Sequence, residues 1–299
     1  MSSPYPSETA NLELQVCCPL CGQVAWGAIQ RGTALRRCRT CGTWLNARSR
    51  NREEEERLYD GCDSVPVQDQ SAIALSYWEL VQAAAYQFSQ GSPDSVLDIG
   101  CGTGDFLHVA RAAGAQVAGM ELDPIQAAAS RVRGITTVQG SVFDVPLPAG
   151  PWQVITFWDV LDHLDDPARA LRAAVEELAP GGLMVVRGRN SLAHVPAKLA
   201  IRRMATLFGN LGVTDVSVVH RWSFTPNVWC RLLSGAGLEN INLYPGLPTP
   251  GDRYRSLGKR SVADILKTAI RYSAGTLHAM SRGRAYLFPT VIAIGQKSG

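Results

Sequence analysis

Beyond residue 94 the chain alternates between short apolar runs and stretches in which apolar residues return every three to four positions. Ser95 to Ile99, Gln116 to Glu121, Ile135 to Gln139 and Trp152 to Trp158 read as strands, each followed by a turn and a helix or loop. Asp123-Pro124 opens one of those helices in capping order, with Asp as N-cap and Pro in the first turn. Ala168 to Ala179 is an amphipathic helix, and Pro180-Gly181-Gly182 turns the chain into a fifth strand ending at Val186. Helices follow over residues 191–208 and Asn227 to Ser234, then a sixth strand from Leu238 to Tyr244 and a seventh from Tyr286 to Gly295. Upstream, Ile73, Tyr77, Leu80, Val81, Ala84 and Phe88 recur at helical spacing, which predicts a long helix over Asp69 to Gln90 that Gly91-Ser92-Pro93 stops. Strands alternating with helices predict an α/β fold on a mainly parallel sheet.

The N-terminal third is patterned differently. Residues 1–14 read as a disordered tail, and residues 15–50 as a small module in which Val24, Ala25, Trp26, Ile29 and Leu35 are short-strand material. Residues 51–92 form a helical linker, with the acidic run Glu53 to Glu56 at a helix start and Gly61, Cys62 and Pro66 in a connecting stretch. The α/β domain then occupies residues 93–299.

The sharpest chemistry lies where the first α/β strand ends, at Asp98-Ile99-Gly100-Cys101-Gly102-Thr103-Gly104-Asp105. Three alternate glycines between a strand and a helix let a ligand approach the backbone more closely than any Cβ permits. The helix start adds free N–H groups and the positive end of the helix dipole. The spacing is neither the G-x-G-x-x-G of dinucleotide folds nor a phosphate-binding loop, which needs a Lys-Ser/Thr pair. An acid at 98 would repel a pyrophosphate and suits a ligand carrying an ammonium group. Glu121, 17 residues beyond Gly104, ends the second strand where a ribose-binding carboxylate is expected.

Val96 to Gly104 resembles motif I of the class I S-adenosylmethionine (SAM) methyltransferases. The resemblance runs over roughly residues 94–245 plus the last strand and implies a Rossmann-like seven-stranded sheet in the order 3-2-1-4-5-7-6, strand seven antiparallel. It implies cofactor contacts from Asp98, Gly100, Cys101, Gly102, Gly104, Glu121, Leu122, Phe157 and Trp158. Family members carry an acid after the glycine that ends strand three; here Ser141 stands there, so Ser141 and Val142, or Asp144, take the adenine contact.

Asp159-Val160-Leu161-Asp162-His163-Leu164 resembles the segment after strand four in small-molecule O-methyltransferases of the ubiquinone-biosynthesis type, where an acid–His pair follows Val-Leu. A histidine there can take a proton from an acceptor hydroxyl while the acid orients it. His220, ahead of Arg221-Trp222-Ser223-Phe224-Thr225-Pro226, is a second general-base candidate at a position the family also carries. Capping or simple packing is the competing role for either histidine. The Asn/Asp-Pro-Pro-aromatic and Pro-Cys segments of base-modifying methyltransferases are absent.

Cys18, Cys21, Cys38 and Cys41 form C-x2-C-x16-C-x2-C, each pair followed by glycine. That spacing matches a closed tetrahedral zinc site and resembles a zinc ribbon. Between Cys17 and Arg52 there are seven arginines and no acids, which leaves nucleic acid as an alternative partner beside a purely structural role.

Composition adds three points. The chain has 299 residues, 46% of them hydrophobic, with no run approaching a membrane span and a polar start lacking a signal-peptide core, so a cytoplasmic enzyme is expected. Eight cysteines then read as metal ligands or free thiols. The net charge of +3 divides into −9 for Met1 to Val186 (13 Lys+Arg, 22 Asp+Glu) and +12 for Arg187 to Gly299 (16 and 4). A basic C-terminal part, with a basic helical insertion over residues 246–284, points to an anionic acceptor or to peripheral membrane contact at the inner face. The sequence therefore predicts a SAM-dependent methyltransferase with structural Zn2+, acting on a small-molecule or lipid- or glycan-linked acceptor, probed against two alternatives: an RNA methyltransferase and a non-catalytic SAM- and zinc-binding interaction protein.

Overall fold

A computed structural model describes residues 16–28, 35–47, 71–88, 91–193, 195–196, 221–246, 276, 280 and 286–299. Its elements in chain order are β1 (Trp26–Ala28), β2 (Leu35–Cys38), β3 (Trp44–Asn46), α1 (Ser71–Gln87), β4 (Ser95–Ile99), α2 (Asp105–Ala112), β5 (Gln116–Glu121) and α3 (Pro124–Val132). They continue with β6 (Thr136–Gln139), β7 (Trp152–Trp158), α4 (Pro167–Glu176), β8 (Leu178–Arg189), β9 (Trp222–Ser223), α5 (Pro226–Gly235), β10 (Leu238–Pro245) and β11 (Thr290–Lys297).

Seven strands form one sheet in the order β10-β11-β8-β7-β4-β5-β6. The pairs from β8 to β6 are parallel, and β11 runs antiparallel between β8 and β10. This is the expected 3-2-1-4-5-7-6 order. Both faces of the sheet are covered, so its central strands are mainly apolar, with Asp98 and Thr156 as buried polar exceptions. Period-two alternation then sends neighbours to two different cores. Val154, Leu183, Val185, Ile292 and Ile294 pack with Ala74, Trp78 and Val81 of α1 and Phe106 and Leu107 of α2. Ile155, Phe157, Met184, Val186 and Ala293 pack on the other side with Ala170 and Leu171 of α4 and Val228, Trp229 and Leu232 of α5.

Three helices begin the same way, with an N-cap side chain ahead of proline: Asp123 accepts from the Ile125 N–H, Asp166 from the Arg169 N–H and Thr225 from the Val228 N–H. The rule that placed Asp123 applies at all three.

The last strand starts at Thr290, four residues later than the apolar pattern predicts. Tyr286 and Phe288 are buried, yet their carbonyls accept from Asn190 Nδ2 at 2.9 and 2.8 Å instead of joining the ladder. A buried asparagine has displaced strand pairing there. The fifth strand is longer than predicted, because β8 runs on to Arg189 opposite β11.

A second sheet has the order β1-β2-β3-β9. Its first three strands come from the cysteine-rich module and its fourth from residues 222–223. The two sheets share a core, since Leu45, Trp222 and Phe224 lie in the same cluster as Leu161 and Phe157, with Val16, Leu20 and Trp26 packed against it. The tail, the acidic helix, the linker at 60–68, His220, and most of the 191–208 and 246–284 segments lie outside the described residues.

Candidate active site

β4 carries Asp98 into the centre of the sheet, where the side chain is 2% exposed. Its Oδ1 accepts from Thr156 Oγ1 of neighbouring β7 at 2.7 Å. Burial pushes the Asp98 carboxyl up to about 8, Thr156 pulls it down, and the nearby Glu121 charge raises it further.

The chain then turns through Gly100, Cys101, Gly102, Thr103 and Gly104 into α2, with Gly104 as N-cap. Gly100 and Cys101 N–H both donate to the Met120 carbonyl, at 2.8 and 3.1 Å. Gly102 has φ +55, and a Cβ there would meet only Gln126 Oε1, at 3.2 Å, within 4 Å. The turn thus presents open backbone to an incoming group. Gly100, at φ +79, is the opposite case: a Cβ would come 2.4 Å from Val160 Cγ2.

Glu121 at the end of β5 braces this turn. Its Oε2 accepts from the Gly102 N–H at 2.7 Å and its Oε1 from the Asp123 N–H at 3.0 Å. Burial raises its pKa, and the Asp123, Gly102 and Leu122 N–H groups lower it. A carboxylate offers about four lone-pair sites, so two bonds leave capacity for a vicinal diol.

Beyond β7 the backbone reverses sharply. Asp159 sits at φ 57, in the left-handed region, its N–H donates to the Arg187 carbonyl at 3.0 Å, and its carboxylate pairs with the Arg187 guanidinium. That guanidinium also lies over the Tyr77 ring, 5.7 Å from its centroid. Tyr77 stacks on Trp158 at 4.1 Å and 9°, and Phe106 meets Trp158 edge-on. Val160 covers Gly100, and His163 follows one turn later, its N–H donating to the Val160 carbonyl at 2.9 Å. Asp162 is 1% exposed, with Oδ1 4.0 Å from His163 Nε2. Burial raises the Asp162 pKa, while His163 and Arg189 lower it.

The four sulfurs of Cys18, Cys21, Cys38 and Cys41 lie within 4.8 Å of one another. Cys18 and Cys41 Sγ are 3.3 Å apart, and Cys21 and Cys38 Sγ 3.6 Å. Zinc–sulfur bonds of about 2.3 Å in a tetrahedron set sulfurs roughly 3.8 Å apart, so the cluster is the size of a closed four-thiolate zinc site. The Gly22 and Gly42 N–H groups close the two knuckles on the Cys18 and Cys38 carbonyls, at 2.8 and 3.0 Å.

A profile described as a methyltransferase domain matches residues 73–243, more than half the chain. The chain belongs to the methyltransferase domain family. Its sheet order is that of the class I methyltransferase fold. The chain is similar to a ubiquinone biosynthesis O-methyltransferase of Xanthomonas axonopodis pv. citri, 32% identical over 184 residues that cover 59% of this chain and 75% of that one. A namesake from Marinobacter nauticus is 32% identical over 100 residues, so the chain spans only 42% of that relative's length. In fold the chain is similar to the plantazolicin methyltransferase BpumL, solved in complex with SAH, with a TM-score of 0.52 at 14% identity over 83% of this chain and 91% of that one.

In this methyltransferase-family chain the predicted cofactor residues divide. Asp98, Gly100, Gly102, Gly104 and Glu121 converge on one turn. Leu122 beside them is 39% exposed, and Ser141 Oγ accepts from the Phe143 N–H at 3.2 Å within its own turn, next to Val142. Cys101 contributes backbone only, because its thiol is buried against Gly119, where burial raises its pKa. Phe157 is fully buried in the core, whereas Trp158 points to the opposite face and meets Tyr77. His220 is outside the described residues. Thr156, Asp159 and Arg187 join this region through tertiary contacts, Thr156 to Asp98 and Arg187 to Asp159. The signal for Thr156 was a lone hydroxyl inside the apolar run from Trp152 to Trp158, a buried polar group that must have a partner.

Proposed function

We propose that this protein transfers a methyl group from SAM to an oxygen of a small-molecule or lipid- or glycan-linked, anionic acceptor in a bacterial biosynthetic pathway. One observation carries the reading: Val160 packs on Gly100, so the segment that leads into Asp162 and His163 starts at the glycine turn, and the His163 N–H returns to the Val160 carbonyl. The curated relatives named ubiquinone biosynthesis O-methyltransferase support the choice of oxygen.

SAM, when bound, supplies an electrophilic methyl on a positively charged sulfur. Asp98 and the open backbone at Gly102 would hold its amino-acid end, Glu121 its ribose hydroxyls, and Ser141 and Val142 the adenine edge. The chain's main contribution to rate is alignment of acceptor and donor. His163 takes the acceptor proton on the ring nitrogen that does not face Asp162, and as the imidazole gains charge, Asp162, its Oδ1 4.0 Å from Nε2, is favoured in its ionised form. Cys18, Cys21, Cys38 and Cys41 would hold one Zn2+ with a structural role, as expected for a closed all-thiolate set.

The test is incubation of the purified protein with methyl-labelled SAM and bacterial cell extract, followed by mass spectrometry of labelled products. Label in an O-methylated small molecule or lipid is the expected result, and His163→Gln should slow it by roughly 10²–10⁴-fold. Label confined to RNA, or in no component, overturns the reading.

A further inference from the structure

The cysteine module is stitched to the acceptor side of the site. The second knuckle runs straight into β3, with the Cys38 N–H donating to the Thr43 carbonyl at 2.8 Å and Cys41 Sγ 3.1 Å from Thr43 Oγ1. β3 then pairs antiparallel with β9, Trp44 opposite Ser223 and Leu45 opposite Trp222, and the Asn46 N–H donates to the Arg221 carbonyl at 2.8 Å. On the other side of β9, the Trp222 N–H donates to the Asp162 carbonyl at 2.9 Å and its indole Nε1 to the Leu164 carbonyl at 2.8 Å. The residue between those two carbonyls is His163. Arg221 also pairs with Asp165 at 2.8 Å.

β9 is two residues long, too short to hold its place without a partner strand. Trp222 is 1% exposed, and its ring lies 6.1 Å from that of Trp26 in β1. The module therefore supplies one side of its surroundings, through Leu45 and Trp26, and the α/β domain the other, through Leu161 and Phe224. A module of three short strands has little core of its own, and metal binding supplies the free energy that folds such units. The hydrogen bonds that hold the cofactor turn lie elsewhere, because Gly100, Gly102 and Asp98 are held by Met120, Glu121 and Thr156, and only the Val160 side chain reaches the turn from the segment leading into His163.

We propose that the four-cysteine centre positions the acceptor half of the site: with Zn2+ bound, β3 templates β9, and Trp222 carries that order to Asp162, His163 and Leu164. Trp222 is a positioning residue, and the catalytic meaning of His163 rests on the function proposed above.

Hydrogen exchange on the full chain, before and after Zn2+ removal by a chelator under reducing conditions, tests this. Metal removal should speed exchange of the Trp222 and His163 amides at least tenfold while β4 and β5 amides stay protected. The His163 imidazole resonance, assigned with His163→Gln, should shift in the same step. Trp222→Phe keeps an apolar ring but loses the bond to Leu164, so it should loosen residues 162–165 with zinc content unchanged. Retained protection at Trp222 and His163 after metal loss, or equal loss at β4 and β5, overturns the proposal. SAH titration of the zinc-loaded protein reads the cofactor site alone, so failure to bind SAH counts against the proposed function and leaves the exchange result to decide this one.

Discussion

Replacing Asp98 by Asn should make the cofactor-free protein more stable, although it removes a functional group. The carboxyl is displaced from 3.8 to about 8 by burial, with Thr156 its hydrogen-bond donor. Between those values the folded state binds a proton that the unfolded state has lost, so stability falls as pH rises through the interval and levels off above pH 8. At pH 7 about three units of displacement count, and at 1.36 kcal/mol per unit the cost is roughly 4 kcal/mol. Asparagine is neutral throughout and keeps an oxygen for the Thr156 hydroxyl, while burying its amide costs about 1–3 kcal/mol. The variant should therefore gain roughly 1–3 kcal/mol at pH 7, starting as the less stable protein near pH 4, overtaking the wild type as pH rises, and holding a constant advantage above pH 8. Urea unfolding of both proteins without cofactor, from pH 4 to 9, measures this directly. A variant that is less stable at pH 7, or a difference independent of pH, refutes the reasoning. The same carboxyl must ionise to meet a ligand ammonium, so wild-type affinity for SAM should rise up to about tenfold per pH unit between 6 and 7.5, and Asp98→Asn should lack that slope.

Two further substitutions separate bracing from bare backbone. Glu121→Gln turns an amide N–H toward the Gly102 or Asp123 N–H, and loss of a charged acceptor costs about 1.5–3 kcal/mol. SAM affinity by calorimetry should therefore drop at least tenfold, and unchanged affinity would remove Glu121 from the site. Gly102→Ala meets only a flexible glutamine end and should lose about 1 kcal/mol of stability through its positive φ. Gly100→Ala also drives a Cβ into Val160 and should lose about 2–4 kcal/mol in the same thermal melts. Equal losses would show that Val160 yields freely.

Local chemistry wrote much of this protein plainly into its sequence. The apolar runs set the bounds of β5 and β7 to the residue, because strands covered on both faces are mainly apolar along their buried length. Asp123-Pro124 announced α3, since a capping side chain acts on N–H groups two and three positions away. The glycine turn, Glu121 and the four cysteines were legible for the same reason: ligand-binding geometry within a short stretch constrains residue type directly. Only the tertiary structure decided the rest. Thr156 beneath Asp98, Arg187 against Asp159, Asn190 replacing the start of the last strand and Trp222 in the fourth strand beside the cysteine module join residues 28 to 177 positions apart. Each partner satisfies a buried polar group or a strand edge, needs that depend on which surfaces meet once the chain has packed, and no local pattern encodes them.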